Sequence, residues 1–213
     1  MSKKMMLLAL VVASASMFAL PAAASATEIH FDTATTFTGH GAAGELLSEK
    51  KPTVTCETTH VQNGVINAGG TTGSMELDFT GCHINVLGFT VKCRTVGSAL
   101  DNTVKTKGTF HLITTTDGPA VLVTAETTEL VCAGNTIIVH GDVIGTITSP
   151  KCGAVSNQMT LVFGANAAGT QDHTEWTGKK YELTATQNET STSAALKAHV
   201  TLTANANGTL TCT

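Results

Sequence analysis

A period of two recurs along this chain and constrains its fold more than any other feature. Ile29, Phe31 and Phe37 share one parity, with Glu28, His30 and Asp32 on the other. Met75, Leu77 and Phe79 alternate with Glu76 and Asp78. Leu87, Phe89, Val91 and Cys93 alternate with Lys92 and Arg94, and Val104, Phe110 and Leu112 with Lys105, Lys107 and His111. The pattern returns in Ile137, Val139, Val143 and Ile147 against His140 and Asp142, and in Tyr181 and Leu183 against Lys180 and Glu182. It closes with Leu196, Val200 and Leu202 against Lys197, His199 and Thr201. Successive side chains of a strand point to opposite faces, so each segment reads as a half-buried strand with one wet face.

Turn chemistry separates these segments at Asn63-Gly64, Gly69-Gly70, Asp117-Gly118-Pro119, Gly134-Asn135, Ser149-Pro150 and Asn207-Gly208. Only Ala42–Lys50 has the composition for a helix, of about two turns. Thr accounts for 39 of the residues from Thr27 onward, and a β-branched residue suits a pleated, half-exposed surface. Roughly ten to thirteen short strands with regular turns predict an all-β chain: a single antiparallel β-sandwich, with a closed β-barrel as the alternative.

Residues 1–26 have the three parts of a cleavable export signal. Lys3 and Lys4 are basic, Met5 to Leu20 carries no charge, Pro21 breaks the run, and Ala24-Ser25-Ala26 offers a small-x-small cleavage site. The apolar run is short for a membrane anchor, which is the rival reading, and no later run is long enough to span a bilayer. The Ala-rich, Lys-started signal looks bacterial. The expected mature chain is one β-rich domain, Thr27–Thr213, secreted or held in the cell envelope. All six cysteines, Cys56, Cys82, Cys93, Cys132, Cys152 and Cys212, fall in it. An even number in an exported chain reads as disulfides, whereas a zinc site would favour a C-x-x-C pair, which is absent.

The expected bridges are Cys82–Cys93, Cys56–Cys132 and Cys152–Cys212. The segment His83–Lys92 can turn back and bring its flanking cysteines together. Cys56 and Cys132 occupy equivalent places in an internal echo. Val54-Thr55-Cys56, Gly64-Val65-Ile66 and Met75-x-Leu77-x-Phe79 recur as Val131-Cys132, Gly141-x-Val143-Ile144 and Met159-x-Leu161-x-Phe163. A duplicated β-unit or chance among similar strands would each produce that echo. The third bridge would tie down the C-terminus.

Composition excludes several functions. Without Lys3 and Lys4 the chain has 10 Lys and Arg against 16 Asp and Glu. Phosphate binding needs clustered bases, so no nucleic acid is expected, nor electrostatic docking on anionic membranes. One Trp and one Tyr weaken sugar or base stacking. His30, His111, His140 and His199 fall on the polar parity of their strands, and no H-E-x-x-H or close His pair sets up a metal site. There is no G-x-S-x-G elbow, S-x-x-K or phosphate loop. Glu76 with Asp78 and Glu126 with Glu129 read as solvated faces. The Thr-x-Thr pairs lack the constant spacing of an ice-binding solenoid.

No catalytic, cofactor-binding or metal-ligating residue is therefore assigned, no cofactor is expected, and the chain is read as no enzyme. The first reading is a non-enzymatic binding or structural module with a protein or cell-surface partner. A β-barrel carrier of a small hydrophobic ligand is the alternative, and a secreted hydrolase comes third. The loops to watch are His60–Ser74, Ser149–Gln158 and Gly164–Lys179, the last holding Trp176, a possible binding residue if exposed and a core residue if not.

The order V-T-C (Val54–Cys56), L-D-F-T-G-C (Leu77–Cys82), V-K-C (Val91–Cys93), K-G-T-F (Lys107–Phe110) and L-V-C (Leu130–Cys132) resembles a loose group of exported, cysteine-paired, β-rich proteins of soil actinobacteria. The likeness spans about Val54 to Phe163. It implies an exported β-protein and carries over no site residue, because the group's function is uncharacterised.

Intact-mass analysis of exported protein is expected to show Thr27 as the first residue. A retained Met1 or a lipid adduct would sink the signal-peptide reading.

Overall fold

The computed structural model describes residues 29–49 and 52–212, so the expected signal peptide and its cleavage site lie outside the described residues. Among the described residues there is no helix. The strands are, in chain order, β1 (Ile29–Phe31), β2 (Thr35–Gly41), β3 (Gly44–Ser48), β4 (Val54–Cys56), β5 (Thr58–Ile66), β6 (Thr72–Thr80), β7 (His83–Val86) and β8 (Phe89–Thr95). They continue as β9 (Thr103–Thr115), β10 (Gly118–Cys132), β11 (Asn135–Ser149), β12 (Val155–Phe163), β13 (Glu175–Trp176), β14 (Lys179–Lys180), β15 (Leu183–Gln187) and β16 (Thr190–Cys212). The segment expected to be helical, Ala42–Lys50, is instead largely β3. It pairs with β4 on one side and β16 on the other, and these ladders override its weak local preference.

Every strand pairing is antiparallel. The spine is β16, 23 residues long, which pairs in turn with β15, β3, β2, β12 and β1. Pairings run from β16 through β2, β5, β6, β9, β10, β11 and β12 back to β16. A second path runs through β3, β4, β7, β8, β10, β11 and β15 and also returns to β16. The sheet thus wraps its main core and packs its inner faces together in a sandwich-like all-β fold.

The core follows the sequence parities. Ile29, Phe31, Phe37, Met75, Phe79, Val104, Phe110, Leu112, Val139, Val143, Leu183, Val200 and Leu202 are buried. Phe37 meets Phe110 edge to face with 5.9 Å between ring centroids. Its ring also lies where a side chain at Gly64 would project: a Cβ there would meet Phe37 at 2.4 Å. Asn63-Gly64 is therefore no turn. It sits inside β5, at a register shift between Gln62 and Val65, with Asn63 at φ 51°. Bulges and tight turns both call for positive φ and small residues, so their sequence signals coincide. The expected loop His60–Ser74 is accordingly mostly strand, and the chain reverses only between β5 and β6.

All six cysteines are bridged, as Cys56–Cys82, Cys93–Cys132 and Cys152–Cys212. The third pair is the expected one and the first two differ from expectation. The segment His83–Lys92 does fold back, as the β7–β8 hairpin. It makes Cys82 and Cys93 backbone partners, with Cys93 N–H donating to Cys82 O at 2.9 Å. The Cys93 side chain instead faces Cys132, its direct partner on β10, with Cα atoms 4.4 Å apart, the close spacing of a non-hydrogen-bonded antiparallel pair. Cys82 reaches back to Cys56 on β4. The two bridges thus fasten consecutive neighbours in the row β4, β7, β8 and β10.

Closing loops with sequence separations of 26, 39 and 60 removes chain entropy worth about 3.5–4.3 kcal/mol per bridge. Non-reducing peptide mapping is expected to recover these three pairs and no Cys82–Cys93 peptide. Replacing Cys152 and Cys212 together with Ala should lower the unfolding free energy by about 2–4 kcal/mol in urea titration.

Candidate functional site

Outward-facing positions of the central strands form a small second core. Phe110, Leu112, Val121, Val123 and Val143 point inward, so Ile113, Ala120, Leu122 and Ile144 point out, yet all four are buried. The segment between β12 and β15 covers them with Tyr181 and Trp176. Trp176 is half-buried, edge-on to His111 at 5.2 Å and 6.2 Å from the Tyr181 ring centroid, with Lys179 Nζ 4.9 Å from that same centroid. Its ring therefore packs on the outer face of the sheet. His173 pairs with Asp117 at 3.4 Å and ties the cover to the β9–β10 turn.

The residue that docks this cover is Gln171, which carries no motif in the sequence. β11 pairs with β15 up to Gly141 and with β12 from Thr146, so the intervening residues lack a strand partner on that edge. The Gln171 side chain fills the gap. Its Oε1 accepts from Ile144 N–H at 3.2 Å and its Nε2 donates to Asp142 O at 2.8 Å. The amide thus replaces one rung of the missing ladder.

His30, His111, His140 and His199 do not converge, although His40 and His60 are cross-strand partners on β2 and β5. His140 and His199 are exposed and His30 and His111 half-buried, on separate strands, and no cluster that could hold a metal ion occurs among the described residues. The acidic pairs differ from each other. Glu126 and Glu129 are solvated, as expected. Asp78 is buried, contrary to its expected place on a wet face, and is matched across the β6–β9 ladder by Lys105 at 2.8 Å, with Gln62 Nε2 donating to it at 3.2 Å. One rung away, Glu76 pairs with Lys107 at 2.7 Å. The Lys107 ammonium and the Asn63 amide hold the Glu76 carboxyl below the usual carboxylate range. A general acid needs the opposite shift, so Glu76 is built for charge pairing.

These charges line a groove of about 430 Å³ where the sheet forks. β9 follows β10 as far as Ala125, then β10 shifts register and takes β8 as its neighbour from Leu130. Threonines stitch the fork. Thr128 Oγ1 donates to Thr106 Oγ1 at 2.6 Å, and Lys105 N–H donates to Thr95 Oγ1 at 2.7 Å. Behind the fork lies an apolar cavity of about 100 Å³, lined by residues such as Val61, Met75, Leu77, Val143, Leu161 and Leu202.

The remaining feature is an exposed apolar arm. Beyond Cys93, β8 pairs only with β7, so the outer hairpin projects from the sheet. One face carries Ile84 and Val86 on β7 with Val91 and Phe89 opposite them. That stripe begins buried at Ile84 and ends with Phe89 74% exposed and Leu87 94% exposed. The sequence parity placed Leu87 and Phe89 on a core-facing strand, whereas here the strand overhangs the core. Leu87 and Gly88 form the two-residue turn, at φ 50° and 85°. This left-handed geometry favours Asn-Gly and costs a bulky L-residue about 1–2 kcal/mol.

No known protein family, curated protein or solved structure matches this chain.

Gln171→Leu is expected to cost about 1–3 kcal/mol by stranding Ile144 N–H and Asp142 O. Trp176 emission should shift to the red as the cover loosens. An unchanged urea midpoint and spectrum would show that the amide does not hold the cover.

Proposed function

We propose that this disulfide-stabilised β-domain works outside the cytoplasm as a non-enzymatic binding or structural module, acting by surface contact. The observation that carries the reading is the overhanging β7–β8 arm: a projecting apolar surface with Leu87 and Phe89 in solvent, mounted on strands fastened by Cys56–Cys82 and Cys93–Cys132. A disulfide-fastened sheet that presents a projecting apolar tip suits recognition better than turnover, and exposed apolar patches can mark interaction surfaces. Three bridges fit an oxidising compartment, consistent with the export signal read in residues 1–26.

The carrier reading draws on the internal cavity. Its volume of about 100 Å³ lies below the roughly 300–1,000 Å³ of ordinary ligand pockets, which favours contact over carriage.

The purified, oxidised protein is expected to turn over no ester, peptide or glycoside substrate, with or without a chelator. Turnover that disappears when a single His, Asp or Glu is replaced by Ala, in a variant that still melts normally, would make the protein an enzyme.

A further inference from the structure

We infer that the β7–β8 arm inserts its tip into a lipid surface carrying anionic headgroups. The inference rests on the surface-contact reading above and names the partner of that surface.

Two independent costs converge at the tip. Leu87 occupies a left-handed turn position that its side chain disfavours, and the same side chain is 94% exposed to water. Neither folding nor solubility explains a leucine there, whereas an apolar phase receiving the tip does. Three of the exposed large apolar residues, Val86, Leu87 and Phe89, fall within this one turn. The arm extends roughly 13 Å beyond Cys93, at about 3.3 Å per residue over four residues. That reach exceeds the roughly 5–10 Å to which interfacial helices bury their apolar faces among headgroups and acyl chains, so the tip can enter that layer while the sheet stays outside it.

Area and charge decide between lipid and protein. Three such side chains expose roughly 400 Å², about half of what each partner contributes to a standard protein–protein interface. A convex tip of that size needs a soft phase more than a matching concave surface. The chain as a whole is acidic, at −4, yet residues 81–100 contain Lys92 and Arg94 and no Asp or Glu. Arg94 is partly offset by Asp101 at 3.5 Å, which leaves Lys92, opposite His83 on the arm's polar face, to meet the headgroups. The acidity that opposes electrostatic docking of the whole molecule is absent from the segment that would touch the bilayer.

The test is co-sedimentation of the full mature chain with vesicles of phosphatidylcholine alone or mixed equally with phosphatidylglycerol. The wild type is expected to sediment with the mixed vesicles and more weakly with the neutral ones. A Phe89→Trp variant should shift its emission to the blue on binding. The double variant L87N/F89T should bind roughly tenfold more weakly or worse, having lost most of the insertable apolar area. Asn suits the left-handed turn, so that variant should melt no lower than the wild type, which separates lost binding from lost folding. Lys92→Gln should reduce the preference for anionic vesicles.

A wild type that ignores both vesicle types, or a double variant that binds as well as the wild type, would overturn the inference. Tip-dependent dimerisation, or tip-dependent binding to a protein without vesicle binding, would overturn it in favour of those partners. The vesicle assay measures no turnover, so its failure leaves the non-enzymatic reading standing, and turnover in the substrate screen leaves the vesicle result untouched.

Discussion

Two strands of 15 residues each, β10 and β11, are joined by the short Ala133-Gly134 turn and pair from Ala120–Thr146 down to Cys132–Asn135. Both closed paths of pairing pass through this ladder and return along β16. A chain without helices must satisfy its backbone almost wholly between strands, and most of those contacts are distant in sequence. A slip of one residue in the β10–β11 ladder would invert one strand against the other, setting Ile144 of β11 on the face of Val121 and Val123 and turning Val143 out of the main core. The register is pinned at one end by the turn and at the shift between Ala125 and Thr128.

That same shift falls where β9 parts from β10 and the fork opens. The covalent and polar fastenings collect around this place. Cys93–Cys132 and Cys56–Cys82 hold the row that continues beyond the fork. Threonine hydroxyls bridge the opening, and the Glu76–Lys107 and Asp78–Lys105 rungs line its wall. With seven Phe, one Tyr and one Trp in the chain, the core has few aromatic side chains, and bridges supply part of what aromatic packing provides elsewhere.

The strand faces were legible because burial in a sheet obeys a period of two, and Met75, Phe79, Val139 and Val200 are buried as their parity requires. What failed was whatever depends on neighbours distant in sequence. Asn63-Gly64 looks like a turn because a bulge selects the same residues. Cys93 chose Cys132 over Cys82 because β8 lies against β10, an adjacency no local spacing encodes. The parity of Leu87 and Phe89 was readable, but their exposure follows from where the neighbouring strand stops. Gln171 is invisible in the sequence, since its role exists only once β12 and β15 leave a gap on β11. The Leu-Gly pair at the arm's tip did carry a signal, as Gly in the second place of a two-residue hairpin turn.

The amide of Gln171 has a meaning for solubility as well as for folding. An uncovered stretch of a long strand is a template on which a strand from another molecule can add, beginning a chain of intermolecular pairings. By occupying Ile144 N–H and Asp142 O, one side chain removes the nearest rungs of that template, and the cover it anchors shields the apolar face beside them. The segment between β12 and β15 thus covers the stretch where such pairing could begin, with Gln171, the Glu182 carbonyl and the Trp176–Tyr181 packing holding it there.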